Sequence, residues 1–513
     1  MLRKKKVQDT ILSIINSKNK RNQIFLLLTL LGLFFFRQYP RYDYIDYGVY
    51  NSYAHSIIED GNLNISDELY EIRKYRKEPI IQTPTNYDPD YHSHGSSFVF
   101  APFIIIGKLF SDISRSLSGD ISQYLKAPWP LTETRYLEDM FIGVGLFMFA
   151  LIGFYQLWSF CFRESTNRDK VISMALLMWA TPFYMYTIHY PGNMNIVLLP
   201  LLTLLYKFLY DREFTLNERE LVYFVSLLSI GFIIKVDIAF VAVFLPIVFW
   251  RSRGNLTPKD YVGPSFVVLL VLILFLVNRY LQYGSLHLGY GGVTSSFIPL
   301  TMLFTPFSGL LYTCPIFIFL LIFYFSTKTK DRNLTILLLS PLAKFIAISF
   351  AFNSGVDFGW RDVIGNLYIW ALVLAHIFKN HKFKRGFLLI SVICMLWTMF
   401  LSAYYNHLPF GESYSFYLNV FAEGISFLPN YFFLSVQAFH FSWLRLILFI
   451  LLLCFLCIIS RNREFIGRYL PHFFIISYLI VTCLNYINRD NIIIYDDAIV
   501  TDDIKTWYLI ENK

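Results

Sequence analysis

The residues of this chain best suited to chemistry are two aspartates, a histidine pair, one arginine and one lysine, all standing at the ends of apolar stretches. Asp43 and Asp46 follow the first such stretch, in "RYDYIDYGVYNSYAHSIIEDGNLN". A carboxylate beside apolar surface can have its pKa raised by desolvation, bind a cation, or take a proton from a nucleophile. Capping the helix that follows is the competing role for either residue. His92 and His94 lie in "YHSHGSSFVFAP", where Gly95 permits close backbone approach. An HxH pair suits a metal, but no third ligand is fixed by spacing, and polar residues at an interface give the same pattern. His189, Tyr190, Gly192, Asn193 and Asn195 form a further polar cluster at a helix end. Arg361 in "NSGVDFGWRDVIGN" offers a guanidinium that fits phosphate oxygens two at a time, with an ion pair to Asp357 or Asp362 as the alternative. Lys235, with Asp237 at the turn between two short apolar runs, is a second phosphate candidate.

The elements that must position these groups are membrane helices. Of 513 residues, 56% are hydrophobic and only 16% charged, and mean hydropathy is +0.48. This is the balance of a polytopic membrane protein, not of a soluble enzyme with an anchor. Lys and Arg concentrate in alternate loops: Arg163–Lys170, Lys207–Arg219, Arg251–Lys259, Lys328–Arg332, Lys379–Arg385 and Arg461–Arg468, together with the N-terminal tail. The loops Gln282–Pro306 and Tyr404–Phe441 carry neither. Cytoplasmic loops hold the excess of positive charge, so the bare loops are expected outside. That bias also accounts for most of the net charge of +8 without a nucleic-acid partner.

A bilayer core about 30 Å thick asks for about 20 apolar residues per helix. Spans are expected near 22–38, 139–162, 171–189, 193–210, 221–236, 237–250, 263–281, 308–326, 334–352, 363–379, 387–404, 442–459 and 470–487. That is an all-α integral membrane protein with about 13 transmembrane helices, its N-terminus inside and its tail outside. The first apolar stretch has no small-residue cleavage site and is expected to be a retained start-transfer helix. The pair 221–236 and 237–250 is expected to form a hairpin whose tip reaches outward. Cys454 and Cys457 form a CxxC pair, which on an apolar helix reads as packing rather than a metal or redox site.

Residues 39–138 then make one large outer loop. Within it Tyr50, Tyr53, Ala54, Ile57 and Ile58 recur at helical spacing and Gly61 offers a stop, which predicts an amphipathic helix along the membrane surface. The run Phe98–Phe110, interrupted by Pro102 and Gly107, is too short to cross and predicts an interfacial or re-entrant segment. The chain is expected to comprise a catalytic membrane module over 1–380, outer loop included, and C-terminal membrane helices with an outer tail over 381–513.

In order and spacing these pieces resemble the GT-C superfamily of glycosyltransferases that use polyprenyl-phosphate sugars, and among them the bacterial protein O-mannosyltransferase-like and aminoarabinose transferase-like members. That family's first outer loop carries an acidic residue followed by a Tyr, an Ala and a Gly, here Asp46, Tyr50, Ala54 and Gly61 in register. Its "YxxxGxxxLxAPxxxxG" segment is matched by Tyr91, Gly95, Ala101, Pro102 and Gly107. "YGSLHLGYGG", "LFTPFSGLLYTCP" and "DFGWRDVIGNLYIW" resemble further segments, so the likeness covers roughly residues 22–380. It implies an inverting transferase in a bacterial plasma membrane, with its site on the extracytoplasmic face. Asp46 would act on the acceptor nucleophile, Arg361 and Lys235 would hold the donor phosphate, and Asp43, Tyr50, His92, His94, His189 and Asn193 would line the substrate site. The donor would be a polyprenyl-phosphate-linked sugar and the acceptor an envelope glycan, lipid or protein. Where many members have a second carboxylate this chain has "HYPGNMN", and the lysine-proline-proline form before Phe98 is replaced by His94 and Gly95. One carboxylate binds a hard cation poorly, so no metal or other cofactor is assigned. The rival class is a transporter or lipid flippase, which would place ionisable residues at mid-membrane and often carry internal repeats. A scaffold protein would have no reason to gather acidic, His and Arg residues on one side.

Overall fold

The chain has as its structure a computed structural model, which describes residues 45–62, 64–65, 95–118, 136–189, 194–283, 303, 310–351, 363–380 and 384–405. Asp43, His92, His94, Asn193, Arg361, Cys454 and Cys457 lie outside the described residues, as do the expected spans 22–38, 442–459 and 470–487. The chain divides into two units, Tyr39–Thr398 and the pair Met1–Gln38 with Met399–Lys513. Of the latter, the described part is the end of one helix.

The described residues are 86% helical and include no strand. In chain order the helices are α1 (Ile45–Glu59), α2 (Gly95–Ser118), α3 (Tyr136–Cys161), α4 (Asn167–Trp179), α5 (Met194–Asp211), α6 (Glu218–Ile234), α7 (Leu245–Ser252) and α8 (Val262–Tyr283). There follow α9 (Leu310–Thr313), α10 (Ile316–Ser326), α11 (Arg332–Leu337), α12 (Leu339–Ala351), α13 (Leu367–Asn380) and α14 (Lys384–Tyr405). Among the described residues four stretches are long and apolar enough to cross a membrane: Phe141–Cys161, Met194–Asp211, Pro258–Leu281 and Val363–Asn380. The last of these is 78% buried, whereas Pro258–Leu281 is only 6% buried. One is a core helix and the other presents its apolar side chains outward, as a helix facing lipid does.

Helix ends follow local chemistry. Asn217 caps α6 in a capping box with Glu220, and Asp331 caps α11 by accepting from the backbone of Asn333 and Leu334. The expected hairpin is present: α6 ends at Ile234, Lys235 is extended, and a 3-10 segment Val236–Phe244 returns alongside before α7. Small residues let the helices close on one another. Gly145 of α3 lies against the Phe103 ring of α2, and Gly153 of α3 against Leu199 of α5.

Five of the basic loops meet at one end of this unit. Lys379 pairs with Glu164 at 3.2 Å, and Arg251 donates to the Glu213 carbonyl and to Asn333. Tyr210 donates to Asp331 at 2.5 Å, and His376 contacts the Thr329 carbonyl at 2.9 Å. Exposed ion pairs add little stability singly, but these bonds fix which loops share an end.

The Tyr206 hydroxyl, fully buried, donates to Asn366 Oδ1 at 2.6 Å and lies 2.8 Å from Ser340 Oγ. It ties α5, α12 and the turn before α13 together where no water competes. Tyr206→Phe leaves two buried polar groups short of a partner and is expected to cost about 1 kcal/mol, the scale of hydrogen bonds between membrane helices. A thermal midpoint equal to wild type in the same bilayer would show the network to be energetically idle.

Two expectations about the first loop need correction. Helix α1 does form, and Gly61, at φ +67°, ends it as expected. It does not lie on a surface, because its polar residues Asn51, Ser52, His55 and Ser56 are as buried as Tyr50, Tyr53 and Ala54. Periodicity identified the apolar face but not what covers the other. The run Phe98–Phe110 is not interrupted at Pro102 and Gly107. It belongs to α2, an unbroken helix of 24 residues that continues through Pro102 and Gly107. Pro102 falls on the exposed side, and packing of Phe100, Ile104 and Gly107 into the body outweighs its missing N–H. Phe98, Ile105, Leu109, Phe110 and Ile113 point away from that core and remain exposed.

Candidate functional site

Four stretches far apart in sequence come together at the end opposite the linked basic loops. Tyr50 and Ala54 of α1, Phe100 and Ile104 of α2, Ile142 and Leu146 of α3, and Met194 and Val197 of α5 form one buried cluster, and Ile234 of α6 packs on it. Tyr50 meets the Phe100 ring edge to face, with centroids 6.4 Å apart. The cluster excludes water from beneath the polar residues at its rim.

Those polar residues sit where the helices begin and end. Lys235, at the end of α6, donates from Nζ to Asn195 Oδ1 at 3.2 Å, and Asn195 is buried in the first turn of α5. The start of α2 is pressed against the same place. A Cβ on Gly95 would come within 2.3 Å of the Ile233 carbonyl oxygen, so only glycine allows this approach. Ser96 and Ser97 beside it are fully buried. The stretch between α4 and α5 includes a π-helix, Met185–His189, a rare form found frequently at functional sites.

Of the residues anticipated from sequence, Tyr50 and Lys235 are therefore brought to one region, and Gly95 and Asn195 join them. Asp46 is placed in the first turn of α1, one turn before Tyr50, and His189 is the last residue of the π-helix. Among the described residues no three His, Cys, Asp or Glu side chains gather as a metal site.

Two groups near this region escaped sequence reasoning. His55 is fully buried on α1, with Nδ1 3.0 Å from Glu59 Oε1, and Glu59 also accepts from Lys108 of α2 at 2.5 Å. This trio fastens α1 to α2, while Ser56 holds the turn after α1 by donating to Asn62 Oδ1 and the Asn64 carbonyl. Arg279 is the other. It is 1% exposed on α8, a helix otherwise open to its surroundings. A signal was present, because an ionisable residue within an apolar span marks function by default. Counting charges by loop hid it, since Arg279 falls just inside the expected span 263–281.

No protein-family model, curated protein or solved structure matches this chain.

Proposed function

We propose that the chain is a membrane-embedded glycosyltransferase of GT-C type that moves a sugar from a polyprenyl-phosphate donor to an envelope glycan, lipid or protein. The observation that carries this is the meeting of α1, Gly95, Asn195 and Lys235 at the end opposite the basic loops. With about 13 spans and a cytoplasmic basic side, that end faces out of the bacterial plasma membrane, where lipid-linked donors present their headgroups. Asp46 accepts the acceptor's proton as the anomeric carbon is attacked, and Lys235 with Arg361 steadies the departing phosphate. Preorganised charge of this kind contributes a few kcal/mol to a transition state.

The test is transfer from a radiolabelled polyprenyl-phosphate sugar in membranes containing the protein, beside glycan profiling of a deletion strain for one missing sugar. Arg361→Ala is expected to raise the donor KM about tenfold or more, the weight of a lost charge-assisted pair. Unchanged donor kinetics would remove Arg361 from the site.

A transporter or lipid flippase is the second reading, and the buried Lys344 and Arg279 within apolar helices favour it. Net movement of a lipid-linked sugar across proteoliposomes without transfer to an acceptor would decide for it.

A further inference from the structure

At the end where the basic loops meet, the chain turns from α7 into α8 through residues 253–257 and a 3-10 segment, Pro258–Tyr261. The turn is fixed from within. Asp260 accepts from the Thr257 backbone at 2.6 Å and from its hydroxyl at 3.0 Å, and the Asn255 backbone donates to the Ser252 carbonyl at 2.8 Å. Phe249 meets the Tyr261 ring edge to face at 5.3 Å, which holds the end of α7 beside the 3-10 segment.

So held, the turn presents two kinds of exposed side chain. Trp250 is 67% exposed, and Val262 and Phe266, at the start of the apolar helix α8, are equally open. Arg253 and Lys259 are exposed as well, and the Arg253 guanidinium lies over the Trp250 ring, 4.2 Å from its centroid. In membrane proteins aromatic rings gather at headgroup level. Stacking decides what the guanidinium can still bind. Its face is taken up by the indole, while its N–H donors lie in the plane of the group and point out from its edge. Two parallel donors on that edge fit two oxygens of a phosphate. The open rings and the apolar side chains of α8 suit the acyl chains joined to such a phosphate, and a soluble phosphate would use neither. Lys259 adds a second cation, which favours a headgroup of net negative charge over one that carries its own ammonium. We propose that the α7–α8 turn binds an anionic phospholipid of the adjoining leaflet. Arg253, braced on Trp250, holds the phosphate, and Lys259 selects for negative charge.

The experiment is native mass spectrometry of the full-length protein released from nanodiscs of phosphatidylglycerol and phosphatidylcholine in equal parts. The expected result is that the retained lipid is enriched in phosphatidylglycerol. Arg253→Gln and Lys259→Gln should each lower the enrichment about fivefold, the weight of one basic residue at an anionic surface. Trp250→Leu keeps an apolar side chain, removes the platform under Arg253, and should lower the enrichment too. Lys379→Gln is the charge-matched control: Lys379 is an exposed cation at the same end, paired with Glu164, and its loss should leave the enrichment at the wild-type level. No enrichment in the wild type, or an unchanged one in Arg253→Gln, Lys259→Gln or Trp250→Leu, overturns the proposal. So does an equal loss in Lys379→Gln, which would mean diffuse attraction to the whole basic end. Displacement of the lipid by an equal concentration of inorganic phosphate would make the ligand a soluble anion and overturn the lipid assignment.

Discussion

Asp46→Asn is expected to lower sugar transfer by a factor on the order of 10²–10⁴, the usual contribution of a positioned general base, while leaving the amount of folded protein in the membrane unchanged. The substitution keeps size and polarity and removes only the ability to accept a proton. It also separates the catalytic role from the structural one. A carboxylate in the first turn of a helix interacts favourably with the helix dipole, and losing that interaction costs about 0.3–1 kcal/mol of stability without touching chemistry. Asp46 occupies such a position in α1, one turn from the buried Tyr50. A variant that transfers at the wild-type rate and melts slightly earlier would therefore return Asp46 to a structural part. Asp43→Asn should be milder in the same assay.

The second large effect is expected from a residue with no functional group. Gly95→Ala places a methyl 2.3 Å from the Ile233 carbonyl oxygen and 2.5 Å from its carbon. Neither is the tip of a flexible side chain, so the start of α2 has to back away from the end of α6. Overpacking of this kind costs roughly 1–3 kcal/mol. The heavier loss is in rate, because Ser96, Ser97 and Lys235 move with these backbones, and a displacement of about 1 Å can cost roughly 10²-fold. Gly254→Ala, where nothing lies within 4 Å of the added atom, is the control. Transfer assays on both variants check the point: equal rates would mean that the close approach at Gly95 has no bearing on the site.

Much of the architecture was legible before any coordinates, because two signals act locally. Positive charge in alternate loops anticipated which loops share an end, and the contacts of Lys379 with Glu164 and Arg251 with Asn333 place five of them there. Turn chemistry anticipated the break at Lys235 and the stop at Gly61. The misreadings concern residues whose surroundings come from far away in the chain. Pro102 looks like a breaker until Phe100 and Ile104 are seen to anchor both sides of it. His55 looks solvent-facing until Glu59, on the same helix, is found bonded to Lys108 of α2. Arg279 looks like the edge of a greasy helix because nothing in its own sequence neighbourhood tells a buried side from an open one. Of the candidate site, Lys235, Tyr50, Gly95 and Asn195 each stood out in the sequence, whereas their convergence is a property of packing alone.

The open helix α8 makes bilayer thickness a variable of the protein. Val262–Tyr283 holds 22 residues, about 33 Å of helix, against a hydrocarbon layer of about 30 Å. A helix longer than the layer tilts to fit, and among the described residues α8 is held mainly along one side, by α6. Thinner membranes would incline α8 further and lower Arg279 relative to Lys235, so acyl-chain length would tune the spacing of these two cations as a mutation does in a more enclosed fold.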